Sequence, residues 1–205
     1  MPLAGRGQTI EAINTPTIKD LNQVAPFHEG LAAVRKGSQW GFINSEGKLA
    51  IGFRSDLVWN EHPNPQANGV DAIAYPRFRD GRCPIKVMGE EGIPFYGYID
   101  TDGKTVIAPE FLNVTEFEGG LALGIYYKKT FRGKSNFQLN IYEHSFTEVV
   151  LNPAGEMIWP LAERQNIIMQ ARKYKTPAIQ ARILEDRLVA VESAPDHWEI
   201  RKIEL

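Results

Sequence analysis

Cysteine occurs once in this sequence of 205 residues, at Cys83. The chain can therefore close no disulfide of its own and build no cysteine-rich metal site. Long apolar runs are missing too. No stretch approaches the ~18 consecutive apolar residues of a membrane-spanning helix, so no membrane contact is expected. Charge of one sign is not in excess: 23 Lys and Arg face 25 Asp and Glu, a formal net charge of −2. That gives no whole-chain pull toward nucleic acid or an anionic bilayer. Residues 1–14 hold Arg6 and Glu11 and no apolar core, so no signal peptide is expected. With the lone thiol, this places the protein in the cytoplasm. No Gly-x-Ser-x-Gly elbow is present, and His28, His62, His144 and His197 have no metal-ligand spacing. Catalytic, metal and cofactor-binding residues are all expected to be none, and the chain is not expected to be an enzyme.

What is plentiful is glycine, 18 residues, and proline, 13, a composition suited to short strands joined by turns. The chain also repeats itself. Phe27-His28-Glu29-Gly30-Leu31-Ala32 returns as Phe78-Arg79-Asp80-Gly81-Arg82-Cys83 and as Phe117-Glu118-Gly119-Gly120-Leu121-Ala122. Trp40-Gly41-Phe42-Ile43-Asn44-Ser45-Glu46-Gly47-Lys48 returns as Tyr96-Gly97-Tyr98-Ile99-Asp100-Thr101-Asp102-Gly103-Lys104. Such self-similarity marks an array of equivalent supersecondary units.

Each unit reads as hairpins. Asn44, Asp100 and Asn152 begin turns in which a short side chain accepts a bond from the backbone two residues on. Gly47, Gly103 and Gly155 fill the position that must turn left-handed. Gly41 and Gly97 are strand glycines, which mark a bulge or a close approach of another segment. Phe27, Phe78, Phe117, Trp40, Tyr96, Ile43 and Ile99 are the expected core. The third copy has Glu148-Val149 in place of the aromatic-glycine step. A fourth copy, Leu184 to Val191 and then Trp198-Glu199-Ile200, reads as a degenerate cap.

The expected fold is all-β: antiparallel hairpin repeats, three units plus the C-terminal cap. They would stack in one curved sheet or a rolled, barrel-like array, with one short helix near 161–174. One repeat domain spans 1–205, with repeat 1 at 20–53, an insertion at 54–77, repeat 2 at 78–111 and repeat 3 at 112–160. Repeat 3 carries an insertion at 126–147, read as an extra hairpin tipped by Lys128, Lys129, Arg132, Gly133 and Lys134. The cap is 161–205.

These openings and aromatic-glycine steps are those of the WG-repeat family, which the chain resembles over about residues 20–160. The resemblance implies a bacterial all-β scaffold and supplies no catalytic residues to carry over.

Two motifs invite a chemical reading. Asp100-Thr101-Asp102-Gly103 starts like a calcium loop but lacks its later ligands, and its parallel copies make it a hairpin turn. Gly133-Lys134-Ser135 echoes the end of a phosphate loop without the upstream glycine. The leading functional expectation is a non-enzymatic interaction scaffold that binds a protein partner through its insertions. The alternative is a carbohydrate or cell-wall ligand-binding module using exposed aromatics. Trp59, Tyr126, Tyr127, Lys128, Lys129, Arg132 and Lys134 are the candidate partner-binding residues.

Overall fold

The computed structural model describes residues 14–89, 91–185 and 187–204. The expectation of no signal peptide, argued from residues 1–14, rests almost wholly on residues outside the described ones, and Asp186 of the fourth copy lies outside them too. In chain order the strands are β1 (Gln23–His28), β2 (Leu31–Lys36), β3 (Gln39–Ile43), β4 (Leu49–Arg54), β5 (Cys83–Met88), β6 (Pro94–Ile99), β7 (Thr105–Val114), β8 (Ala122–Lys134), β9 (Asn140–Leu151), β10 (Met157–Arg164), β11 (Ala181–Ile183), β12 (Leu188–Ala194) and β13 (His197–Lys202). They form a four-stranded sheet β1-β2-β3-β4, a six-stranded sheet β10-β9-β8-β7-β6-β5 and a three-stranded sheet β11-β12-β13.

The repeated motifs become the expected turns. Glu29-Gly30 and Asp80-Gly81 carry positive φ at both positions, and so does Gly119-Gly120. Two left-handed residues make the tight hairpin turn whose twist matches the strands it joins. The Asn and Asp turns also form. Asn44 Oδ1 accepts from the N–H of Glu46 and Lys48 at 3.1 and 3.0 Å. Asp100 Oδ1 does the same for Asp102 and Lys104, and Asn152 Oδ1 for Ala154 and Glu156. Gly47, Gly103 and Gly155 have φ of 73°, 79° and 86°.

The single curved sheet or barrel is not what forms: the array breaks into three sheets, and none closes on itself. One break falls in the insertion at 54–77 and the other in the segment 165–180 between β10 and β11. The insertion at 126–147 lies inside the second sheet. Between repeats 2 and 3 nothing intervenes, and β7 runs unbroken from its pairing with β6 to its pairing with β8. Between repeats 1 and 2 the chain leaving β4 meets β5 only through the Leu57–Ile85 bridge and flanking bonds, then departs into 59–77. That insertion is packed against the fold. Leu57, Val58, Val70 and Ile73 are buried, and the Asn60 amide donates to the Val70 and Ile73 carbonyls.

The helix expected near 161–174 is also absent. Leu161–Arg164 finish β10, paired with β9, and 165–174 is irregular. Its residues favour helix by composition but offer no apolar stripe to bury, and composition alone does not hold a helix.

Three hydrophobic clusters lie along the array. One joins the first sheet to the start of the second through Trp40, Phe42, Phe78 and Cys83. Another fills the second sheet around Tyr98, Phe111 and Phe117. The last joins the second sheet to the third through Leu123, Ile125, Val189 and Val191. The second and third opening Phe each pack on the aromatic ring after the preceding unit's glycine. Phe78 meets Phe42 at 4.8 Å between centroids, and Phe117 meets Tyr98 at 4.9 Å. Five of the seven expected core residues are buried, but Phe27 is 52% exposed and Ile43 half-buried. Among the described residues no unit precedes Phe27 to supply its ring.

Candidate functional site

The insertion at 126–147 is not an added hairpin. It lengthens the repeat's own strands, giving β8 13 residues and β9 12. The basic residues lie along β8 rather than at its tip. The tip is a turn at 135–139, where Ser135 Oγ accepts from the N–H of Phe137 and Leu139 at 3.2 Å each. Gln138 takes the left-handed position at φ 60°. At the base, β8 pairs with β7 as far as Tyr126 and β9 with β10 as far as Phe146. Beyond Tyr127 and Phe146 the two strands pair only with each other. The result is an arm.

Cross-strand pairs share a face in an antiparallel ribbon. One face carries Tyr127 opposite Phe146, Lys129 opposite His144 and Phe131 opposite Tyr142. There the Lys129 ammonium lies 4.6 Å from the centre of the Tyr142 ring and 3.7 Å from a Glu91 carboxylate oxygen. Tyr127 Oη lies 2.9 Å from His144 Nδ1. Burial, with the charge of Glu91 adding to it, raises the Tyr127 phenol above its ordinary pKa. The other face carries Lys128 and an Arg132 ion-paired with Glu143. Toward the tip, apolar side chains meet solvent: Phe137 is 86% and Leu139 67% exposed.

The structure thus brings Tyr127 and Lys129 together, and sets Tyr126, Lys128 and Arg132 on the opposite face. Tyr126 packs on Phe111 at 5.8 Å. Trp59 is elsewhere, half-buried edge-on to Trp40 at 5.9 Å with the Arg35 guanidinium 4.9 Å from its ring centre. The three candidate aromatics pack against three different clusters. They present no common surface.

Elsewhere, Cys83 and Asp100 are committed to the fold. Burial pushes the Cys83 thiol far above its ordinary pKa, and the oxygen Asp100 would offer a cation is held by its own turn. Among the described residues no three His, Cys, Asp or Glu side chains converge as metal ligands. The opening turns are tied in a ladder that the reading of the sequence missed. The Glu29 carboxylate accepts from the Asp80 and Gly81 N–H at 2.6 and 2.8 Å, and Asp80 in turn accepts from the Gly120 N–H at 2.7 Å. Gly119 has no carboxylate to pass on, and a cleft of about 580 Å³ opens there toward Glu185 and Arg187. Every charged side chain lining it is exposed. The acid-glycine openings were the signal for this ladder, since Glu29 and Asp80 hold the same repeat position. No helix among the described residues is long and apolar enough to cross a membrane.

The model of the WG containing repeat matches residues 20–40, 40–61 and 96–123. Comparison with curated proteins and with solved structures gives no match.

Proposed function

We propose, from the premise that this chain is a WG-repeat protein, that it is a non-enzymatic interaction scaffold gripping a protein partner with its β8–β9 arm. The observation that carries this reading is the exposure of Phe131, Phe137, Leu139, Ile141 and Tyr142 on a ribbon whose strands, beyond Tyr127 and Phe146, pair only with each other. Apolar side chains gathered on a projecting element cost solubility, and such patches mark interaction sites. Lys128 and Lys134 border the patch, while Lys129 and Arg132 are already held by Glu91 and Glu143, so the fitting partner has an apolar groove with acidic groups set to meet Lys128 and Lys134. A buried thiol with its proton held suits a reducing compartment such as the cytoplasm. No specific observation favours the carbohydrate reading, because its aromatics are dispersed.

The test compares the full chain with the Phe137→Asp, Leu139→Asp double variant against whatever partner the wild type captures. We expect at least a tenfold loss of affinity with an unchanged melting temperature. Undiminished binding by the double variant would move the interaction off the arm and end this reading.

A further inference from the structure

Trp40, Tyr96 and Glu148 hold one place in their units, ahead of the strand glycine or its replacement, and all three are buried. The polar end of each side chain therefore needs a partner inside the fold. In the second and third units the stretch 176–181 supplies it. Thr176 engages the Tyr96 phenol, and the N–H groups of Gln180 and Ala181 donate to Glu148. In the first unit no such stretch arrives. Trp40 is 1% exposed, yet its indole Nε1–H has no acceptor among the described residues. A buried donor without an acceptor costs free energy, and each such group calls for an explanation.

A second orphan lies against the first. Arg35 pairs with Trp40 across the ladder, and its guanidinium carbon is 5.9 Å from the Trp40 ring centre and 4.9 Å from that of Trp59. Arg35 Nε is buried and also lacks an acceptor. Among the described residues no carboxylate pairs with Arg35. Arg54, opposite Trp40 on the other side, shows the contrast. The two Asp56 oxygens hold its guanidinium at 2.6 and 2.7 Å, and the Gly103 carbonyl accepts a third N–H. Arg35 and Trp59 are each half-buried at the rim of the first sheet. Arg35 stands near the end of β2, and Trp59 in the irregular chain after the Leu57–Ile85 bridge. The two orphan donors thus adjoin side chains that reach solvent.

We propose that this corner of the first unit binds a carboxylate from outside the chain. One oxygen takes the Trp40 indole N–H and the other the Arg35 guanidinium, while Trp59 keeps its ring against the guanidinium. The ligand chemistry follows from the charge. One unpaired guanidinium offers a single positive charge and a fork of N–H groups, which matches a singly charged acceptor with two oxygens. A phosphate dianion would call for a second cation, and Arg54 is already neutralised by Asp56. The site is on the first sheet and the arm on the second, so either can fail without the other.

The Trp40 indole proton reports on binding directly. In a proton–nitrogen correlation spectrum of the full chain it is the indole peak that Trp40→Phe removes. Should that variant not fold, it is the peak left once Trp59→Phe, Trp159→Phe and Trp198→Phe have assigned the others. Sodium acetate, titrated against sodium chloride at constant ionic strength, should move this peak downfield along a saturating curve, because the N–H gains an acceptor. Arg35→Gln, at a half-buried rim position, should keep the peak and weaken acetate about tenfold, the loss of one charge-assisted bond. A capped oligoglutamate and an oligoalanine ending in a free carboxylate then separate the sources, an acidic side chain from a chain terminus. A Trp40 peak that acetate and both peptides leave unmoved would overturn the proposal. So would an equal shift with chloride, an undiminished response in Arg35→Gln, or a response to inorganic phosphate alone.

Discussion

Gly97 has no room for a methyl group: a Cβ there would lie 2.3 Å from the Ile107 carbonyl oxygen and 2.8 Å from Pro109 N. The cause is a bulge. Tyr96 pairs with Phe111 and Tyr98 with Ile107, so three residues of β7 crowd past one glycine of β6. The third unit shows the converse. Val149 pairs directly with Pro160 and the irregularity shifts to the next step, which leaves space for a side chain. Gly97→Ala should cost about 2–3 kcal/mol through overpacking against backbone that cannot yield, read from urea unfolding. A loss under about 0.5 kcal/mol, the level of an ordinary surface substitution, would show that β7 can slide. Beside it, burial first and Asp71 second push the Tyr96 phenol from 10.0 up to about 12, with a Thr176 hydrogen bond acting weakly the other way. The folded pKa is the higher one, so stability from holding that proton is complete below pH 10 and is lost as pH climbs through about 12. Tyr96→Phe should therefore show a smaller fall in melting temperature across that window than wild type. Burial also raises Tyr98 and Cys83, so part of the alkaline loss remains. Parallel falls in the two proteins would exclude Tyr96 as a contributor.

At the scale of elements, what could be read from sequence was what is local. The Asn and Asp turns need only a side chain and a left-handed glycine within five residues, and all three were legible. The turn at the arm's tip has the same bonding and was not, because Ser135 and Gln138 fill the roles of Asn and Gly. The basic candidates lie on one ribbon, as their closeness in sequence requires. Their division between two faces followed from a register that only the paired strand sets. The largest surprise is Glu148, which looked like decay of the aromatic-glycine step. It sits at the position of Trp40 and Tyr96 and is 1% exposed. One oxygen accepts from Arg164 at 2.7 Å, and the other from the Gln180 and Ala181 N–H at 3.0 and 2.7 Å. The substitution thus tethers the strand that opens the third sheet. Glu148→Ala strands a largely buried guanidinium and two backbone donors, and should cost about 3 kcal/mol. Faster hydrogen exchange across β11 and β12 than across β2 and β3 would locate the damage. Unchanged exchange in the third sheet would mean that Glu148 is not its tether.

For the molecule as a whole, position in the array decides what a residue is worth. Phe27, Phe78 and Phe117 occupy one motif position, and a sequence has no means of ranking them. The packing ranks them plainly: Phe78 is 1% and Phe117 0% exposed, each seated on an aromatic ring of the unit before it, while Phe27 is 52% exposed. In a nearest-neighbour array the stability of a unit is its own plus what its interfaces add. Phe78→Ala and Phe117→Ala each empty an interface and should cost about 3–5 kcal/mol, the range for buried Phe. Phe27→Ala empties none within one chain and should fall within about 0.5 kcal/mol of wild type, measured at a concentration where the protein sediments as a monomer. The array should also unfold unevenly. Phe78→Ala weakens the link between the first and second sheets and should speed exchange in β1–β4 ahead of β8 and β9. Phe117→Ala strikes the cluster inside the second sheet and should loosen β5–β9 together. Equal losses at all three phenylalanines, with one uniform exchange pattern, would mean that the molecule behaves as a single cooperative core and that the unit-by-unit account of its stability is wrong.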